Sequence, residues 1–206
     1  CFVRACVRLL TPPAAFLEKQ GGEAALRADP QGSTPLHTAI ATHRTGMLRQ
    51  LLEASKAVPN KVLLPDGRTL IHCAAAEGDD VALSLLLDTE PHTFLRRSSL
   101  LAQDSKKNTP LHYATLVGSM PAVSFLLAND AEIGTPNCEG NTPLHNAAMN
   151  NHTNVCVLLL NKGASPSVQN AAGKTPPDIA RQQGHVGLAN MFNLFGAHLQ
   201  QVKLDT

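Results

Sequence analysis

Apolar residues recur along this chain in short blocks at helical spacing, separated by polar stretches rich in Gly, Pro, Asn and Asp. The blocks at 123–127 and 155–159 both read Val-x-x-Leu-Leu, which places apolar side chains at i, i+3 and i+4. Each follows an earlier block of Leu and Ala, with a turn between the two. The pattern predicts pairs of short antiparallel helices, each helix with one apolar face.

Each pair of blocks opens on nearly the same six residues. Thr is a preferred helix N-cap, and Pro is favoured at the first helical position because its missing N–H has no helical partner there. The six residues therefore predict the start of a helix. Their starts are 35, 40, 33 and 33 residues apart, and the copies are Thr-Pro-Leu-His-Thr-Ala at 34–39, Thr-Leu-Ile-His-Cys-Ala at 69–74, Thr-Pro-Leu-His-Tyr-Ala at 109–114, Thr-Pro-Leu-His-Asn-Ala at 142–147 and Thr-Pro-Pro-Asp-Ile-Ala at 175–180.

A T-P-L-H-x-A motif with a period near 33 residues marks ankyrin arrays, and the chain resembles the ankyrin-repeat family in this respect. The resemblance implies an all-α fold with short β-hairpin loops, built as an ankyrin-repeat solenoid of about six stacked helix-turn-helix repeats. It implies one domain over 1–206, with Asp178 replacing the usual His in a C-terminal capping repeat. The expected units are 1–28 (degenerate, starting at Cys1), 29–63, 64–103 with an insertion near 88–97, 104–136, 137–169 and 170–206.

Turn residues mark the joints of each unit. Gly78, Gly118, Asn151 and Gly184 stand where the two helices of a unit meet, a place that favours positive φ. Gly also occupies the expected hairpin tips at 32, 67, 140 and 173, but Lys107 stands at the tip before Thr109. That tip should be strained by ~1 kcal/mol or altered in shape, and we predict a distorted hairpin. The extra residues near 88–97 are expected to form a loop.

One histidine per unit invites a metal hypothesis. Packed helix layers lie ~8–10 Å apart, whereas metal–nitrogen bonds are ~2.0–2.1 Å, so these histidines cannot share an ion. The resemblance implies that they are structural, each bracing its own Thr and the neighbouring loop. Another candidate, Cys138 with His145, His152 and Cys156, lacks a paired C-x-x-C, and we predict no metal. The expected structural residues are Thr34, His37, Thr69, His72, Thr109, His112, Thr142, His145 and Thr175.

Motifs for catalysis are missing from the sequence. It has no G-x-S-x-G elbow, no phosphate-binding G-x-x-x-x-G-K-[ST] loop and no H-E-x-x-H helix. The adjacent His72 and Cys73 would point ~100° apart on a helix, which disfavours a thiolate pair. We therefore predict that the chain is not an enzyme and needs no cofactor.

Composition limits the classes of partner and the cellular compartment that we expect for this chain. The formal net charge is +1 without a long like-charge run, which disfavours a nucleic-acid partner. No apolar stretch approaches the ~20 residues of a membrane span, so this segment is not expected to enter a membrane. Five cysteines without close pairs favour a reducing compartment, and we expect a cytoplasmic location with a nuclear one as the alternative. Because Cys1 begins in mid-repeat, we expect the sequence to be part of a longer chain.

Repeat proteins of this kind recognise partners through a concave face made of hairpins and first helices. The resemblance therefore implies a non-catalytic protein–protein interaction module, a scaffold, adaptor or inhibitor that binds another protein or peptide. The alternative is a regulatory or substrate-recruiting domain of a larger enzyme, acyltransferase or channel. In the insertion, Phe94 is either exposed as an anchor or packed on the flank of the stack. The candidate contact residues are Gln31, Asp66, Arg68, Glu77, Phe94, Arg96, Arg97, Lys106, Lys107, Asn108, Leu116, Glu139, Asn141, Met149, Asn150 and Gln182, with Ser33 and Lys174 beside them.

Overall fold

The computed structural model of the protein describes residues 26–55, 61–89 and 93–204. These residues form eleven α-helices and no β-strand, which confirms the predicted all-α solenoid. Most of the expected degenerate first unit lies outside the described residues. The helices are α1 Pro35–Ala41, α2 Thr45–Ser55, α3 Leu70–Ala76, α4 Asp80–Asp88, α5 Thr93–Leu100, α6 Pro110–Val117, α7 Met120–Ala128, α8 Pro143–Met149, α9 Thr153–Asn161, α10 Pro176–Gln182 and α11 Val186–Leu204.

The repeated motif starts the first helix of each unit through a reciprocal cap. Thr109 is the N-cap of α6, with extended φ and ψ, and Pro110 follows at the first helical position. The side chain of His112 reaches back to the backbone N–H of Thr109, while the Thr side chain faces the N–H of His112. The same box opens α1, α3, α8 and α10, with Asp178 in the place of the histidine in α10. Each first helix therefore begins on contacts made within four residues.

The helix pairs stack in chain order. The first helices α1, α3, α6, α8 and α10 each contact the next, and the second helices α2, α4, α7 and α9 do the same. Leu and Ala side chains fill the space between the two rows and form one buried apolar cluster from Leu36 to Phe192. A two-helix unit is too small to bury its apolar face alone, so the stacking stabilises every unit.

A tight turn, here called a finger, precedes each first helix. The five fingers are 29–33, 64–68, 104–108, 137–141 and 170–174, and all share the same two backbone hydrogen bonds. In the fourth, Gly140 N donates to Asn137 O and Asn137 N donates to Asn141 O, both at 2.9 Å. An antiparallel bridge also joins Leu63 to Thr69. These turns occupy the place of the expected hairpin loops.

The third finger is not distorted, so that prediction was wrong. Lys107 adopts a left-handed φ of 59° at the tip, where the other fingers carry glycine. Its N–H donates to Asp104 O at 2.9 Å, and Asp104 N donates to Asn108 O at 3.1 Å. Because both turn bonds are kept, the lysine accepts an unfavourable backbone conformation rather than changing the shape of the turn.

The insertion contains a helix where a loop was predicted. Helix α4 ends at Asp88 and α5 spans Thr93–Leu100 before the third finger begins. Ser99 and Leu100 at its end are buried, and Leu100 belongs to the main apolar cluster. A short helix can anchor itself in this way through its last turn, so the extra residues become part of the stack. Among the described residues, no helix is both long enough and apolar enough to cross a membrane.

Candidate partner-binding surface

The five fingers and the exposed sides of α1, α3, α6, α8 and α10 make up a surface that we call the finger face. Backbone hydrogen bonds join the second finger to the third, the third to the fourth and the fourth to the fifth. Ser105 N donates to Asp66 O, Cys138 N to Lys106 O and Ala171 N to Glu139 O, each at 2.9 Å. Since these bonds link consecutive units, the side chains of the finger tips are held at regular intervals.

Three motif histidines each join their unit to the finger that follows it. Nε2 of His72 lies 3.0 Å from Asn108 O, and Nε2 of His112 lies 3.0 Å from Asn141 O. His145 makes the same contact with Lys174 O at 3.1 Å. In each ring Nδ1 accepts from the backbone N–H of the motif threonine, so the proton is on Nε2 and the ring donates to the carbonyl.

Burial keeps these imidazoles neutral. It lowers the pKa of His72, His112 and His145, and their hydrogen bonds to carbonyls act in the opposite direction. Burial lowers the pKa of His37 to about 4, with a further contribution from the nearby charge of Arg68. A ring that accepts at Nδ1 and donates at Nε2 has no free site for a metal or for proton transfer.

Carboxylates and amides at the start of each finger hold the turn, a role that the sequence interpretation missed. Oδ1 of Asp104 accepts from the N–H groups of Lys106 and Asn108 at 2.8 and 2.7 Å. Asp29, Asn137 and Asn170 do the same in their own fingers. The second finger begins with Leu64, whose side chain has no acceptor. The signal was an Asp or Asn five residues before the motif threonine in four units.

A second row of contacts links the units at the turn between first and second helices. His152 Nε2 lies 3.0 Å from Leu116 O, and His185 Nε2 lies 3.1 Å from Met149 O. His152 thus contacts the preceding unit rather than joining Cys156, which is fully buried. Among the described residues, no group of three His, Cys, Asp or Glu side chains is arranged to hold a metal ion.

Neither the half-buried Cys73 nor the buried Cys156 is suited to act as a nucleophile. Burial raises the pKa of the Cys73 thiol to about 11 and that of the Cys156 thiol to about 12. Both thiols are therefore protonated at neutral pH. Both ring nitrogens of His72, next to Cys73 in sequence, are engaged with Thr69 and Asn108, so this histidine is not available as a base.

Arg68 belongs to a polar cluster between the second and third fingers. Its Nε donates to Asp66 Oδ2 at 2.7 Å, and its guanidinium lies 5.9 Å from the centre of the Tyr113 ring. The Tyr113 hydroxyl donates to Asp104 Oδ2 at 2.6 Å, and this ring meets His72 edge-on. The hydrogen bonds from Tyr113 and Asn108 lower the pKa of Asp104 against the effect of its burial. Arg68 is thus a partly covered member of the surface rather than a free cation.

Most predicted contact residues lie on the finger face with exposed side chains, and Leu116 on α6 is 43% exposed. Arg68, Asn108 and Met149 are half-buried. Asn141 departs from the prediction because it is only 3% exposed, and its side chain pairs with Glu139 and Asn170. The exposed members are Gln31, Asp66, Glu77, Lys106, Lys107, Leu116, Glu139, Asn150 and Gln182.

The predicted contacts in the insertion are separate from the finger face. Arg96 and Arg97 lie on α5, and Arg96 is 3.8 Å from Asp88 at the end of α4. Arg97 lines a shallow depression with Leu127, near the end of α7, and Lys162, directly after α9. The side chain of Phe94 lies outside the described residues, so its two predicted placements stay predictions.

Comparison with known proteins agrees with this arrangement. Residues 44–137 and 118–198 match the family of ankyrin repeats in three copies. The chain is 33% identical over 101 residues to the nuclear factor NF-kappa-B p105 subunit of Gallus gallus, a match covering 48% of this chain and 10% of that protein. It is 30% identical over 105 residues to the transient receptor potential cation channel subfamily A member 1 of Drosophila melanogaster, covering 51% of this chain and 8% of that protein. The matched segments are therefore a small part of both relatives.

Proposed function

This chain belongs to the ankyrin-repeat family, and on that premise we propose that it is a non-catalytic interaction module that binds another protein through the finger face. The observation that carries the proposal is that each unit buries its motif residues and exposes neighbouring side chains. Thr109 and His112 are buried and paired inside the stack, whereas Lys106, Lys107 and Leu116 of the same unit stay exposed. The motif residues thus support the stack and leave neighbouring side chains available to a partner.

The exposed set favours a protein or peptide over a polyanion. Lys106 and Lys107 lie on the third finger and the exposed Glu139 lies on the fourth, so positive charge does not continue along the surface. A nucleic acid is bound by a run of Lys and Arg side chains that neutralise its phosphates and release their counterions. Apolar spots such as Leu116 beside mixed charges are typical of a protein interface. We propose that the protein binds its partner in the cytoplasm, with the nucleus as the alternative.

Quantitative affinity capture from a cell extract, with the full chain immobilised, tests this assignment. Leu116→Asp should weaken retention of bound proteins by about tenfold, because a central apolar contact contributes on the order of 1–2 kcal/mol. Val81→Asp is the matched control, since Val81 is 51% exposed and lies on α4, in the row of second helices. Equal retention by the two variants would count against the finger face as the binding surface.

A second candidate function is a regulatory or substrate-recruiting domain of a larger protein. It is favoured by the small share of each relative that the chain matches, 10% and 8%. One of these relatives is named as a cation channel, which makes a channel one option besides an enzyme or acyltransferase. The size of the endogenous protein decides between the candidates. A product much larger than this chain with catalytic or membrane-spanning segments supports regulation, and a product of this size supports a free-standing adaptor.

A further inference from the structure

The seam between the first two fingers lacks a contact that joins every later pair. In the third, fourth and fifth fingers, the second residue donates its N–H to the preceding finger at 2.9 Å. The second finger has Pro65 at this position, and proline has no N–H. The first and second fingers therefore cannot form that backbone hydrogen bond.

At the same seam, the described residues offer no hydrogen-bond acceptor to Nε2 of His37. Its Nδ1 accepts from Thr34 N at 3.2 Å, as in the other units, so Nε2 carries the proton and is a donor. In the part of the chain that the structure describes, Nε2 of His37 has no hydrogen-bond partner. The side chain is nevertheless buried, with the residue only 5% exposed. A buried donor without an acceptor destabilises the fold, and a bound acceptor would relieve this.

A groove of about 280 Å³ lies beside this donor. His37, Ala41 and Ala76 line it from the first helices, and Leu64 and Arg68 line it from the second finger. Ala41 and Ala76 stand seven residues after their motif threonines. The next two units have Leu116 and Met149 at that place. Two small residues therefore leave open a space for which later units supply larger side chains.

We propose, resting on the proposed function, that this groove is a subsite for an extended segment of the partner protein. One aliphatic side chain of the segment lies between Ala41 and Ala76, and the backbone carbonyl beside it accepts from Nε2–H of His37. The groove is smaller than the ~300–1,000 Å³ of sites for drug-sized molecules, which fits one side chain with its backbone. Glu77 also lines the groove and disfavours an acidic side chain, while Arg68 is already paired with Asp66.

Binding requires a small shift of the second finger. Nε2 of His37 is buried, so the incoming carbonyl reaches it when the second finger, which lines the groove through Leu64 and Arg68, moves slightly. The absence of an N–H on Pro65 reduces the resistance to this movement. The same carbonyl then makes the contact that Asn108 O makes with His72 in the next unit.

The test uses peptides selected from a random dodecapeptide library on the full chain. The double variant Ala41→Leu, Ala76→Met puts into the groove the residue types found in later units, which the fold accepts there. Val81→Ala is the control because Val81 is exposed on α4, outside the finger face, and Leu116→Ala separately removes apolar surface from the finger face without filling the groove. Fluorescence anisotropy gives the dissociation constants, and the urea midpoint of each variant checks its fold.

Selected peptides should carry a common aliphatic residue and bind the double variant at least about tenfold more weakly, with little change for Val81→Ala. On binding, the Nε2–H resonance of His37 should shift in the nitrogen-edited proton spectrum while those of His72, His112 and His145 stay in place. Failure to select any peptide, a common acidic residue, equal weakening by the double variant and Val81→Ala, or no shift at His37 would each overturn the proposal. Peptides that lose affinity only with Leu116→Ala would overturn the groove and still support the finger face.

Discussion

The unpaired Nε2 donor of His37 allows a quantitative prediction about the free energy of unfolding. His37 and His112 occupy the same motif position, and both are buried and paired with their threonine. Only His112 also donates to the next finger, at 3.0 Å from Asn141 O. Replacing each by Leu keeps an apolar side chain of similar size in the stack. The two substitutions differ mainly in what happens at Nε2.

The expected free energies follow from these contacts. His112→Leu loses its part of the capping box, worth about 1 kcal/mol, and the bond to the next finger, worth about 1 kcal/mol. It should destabilise the protein by about 2 kcal/mol. His37→Leu loses the same cap contribution but removes a buried unpaired donor that costs about 1–3 kcal/mol. It should be neutral or stabilise slightly, so the two variants should differ by roughly 3 kcal/mol.

Urea unfolding followed by circular dichroism measures both variants in the full chain. Repeat arrays can unfold in parts. The slope of unfolding free energy against urea concentration must therefore be the same for both variants before their free energies are compared. If they differ, hydrogen exchange at the amides of α1 and α6 reports each unit separately. Equal destabilisation by His37→Leu and His112→Leu would refute the reasoning that the two rings differ at Nε2.

Three further outcomes can be checked. Lys107→Gly should stabilise the protein by up to about 1 kcal/mol, measured by the urea midpoint, because glycine adopts the left-handed φ of 59° without a Cβ; no gain would mean that the lysine is unstrained there. Gly118→Ala should cost more than about 1 kcal/mol in the same assay, since its φ is 81° and a Cβ would lie 2.6 Å from Cγ of His152; an unchanged midpoint would contradict that contact. Acidification should destabilise the stack. The folded pKa of His37 is about 4, below the unfolded value of about 6.5, so the unfolded chain binds more protons as the pH falls through that range. At about pH 5 this histidine alone accounts for about 2 kcal/mol of the loss relative to pH 7, and His37→Leu should reduce the pH dependence of thermal unfolding; an unchanged profile would contradict the lowered pKa.

The helix starts and the stacked architecture could be predicted because their causes are local. Thr, Pro and the residue three places after Thr cap a helix among themselves, as at Thr109 and His112, whatever lies elsewhere in the chain. The period of the motif then indicates repetition, and an apolar face too large for one helix pair indicates stacking. The exposure of Leu116 follows from the same periodicity.

Contacts between units decided the rest, since they join residues some thirty positions apart that no local pattern relates. The insertion forms helix α5 because Leu100 packs in the apolar cluster. Asn141 turned inward because Asn170 of the next finger donates to its side chain. His37 differs from His72 at Nε2, which donates to Asn108 O in His72 and has no partner among the described residues in His37. The sequence by itself determined where each helix begins and that the units repeat, whereas the tertiary structure decided which seam is incomplete.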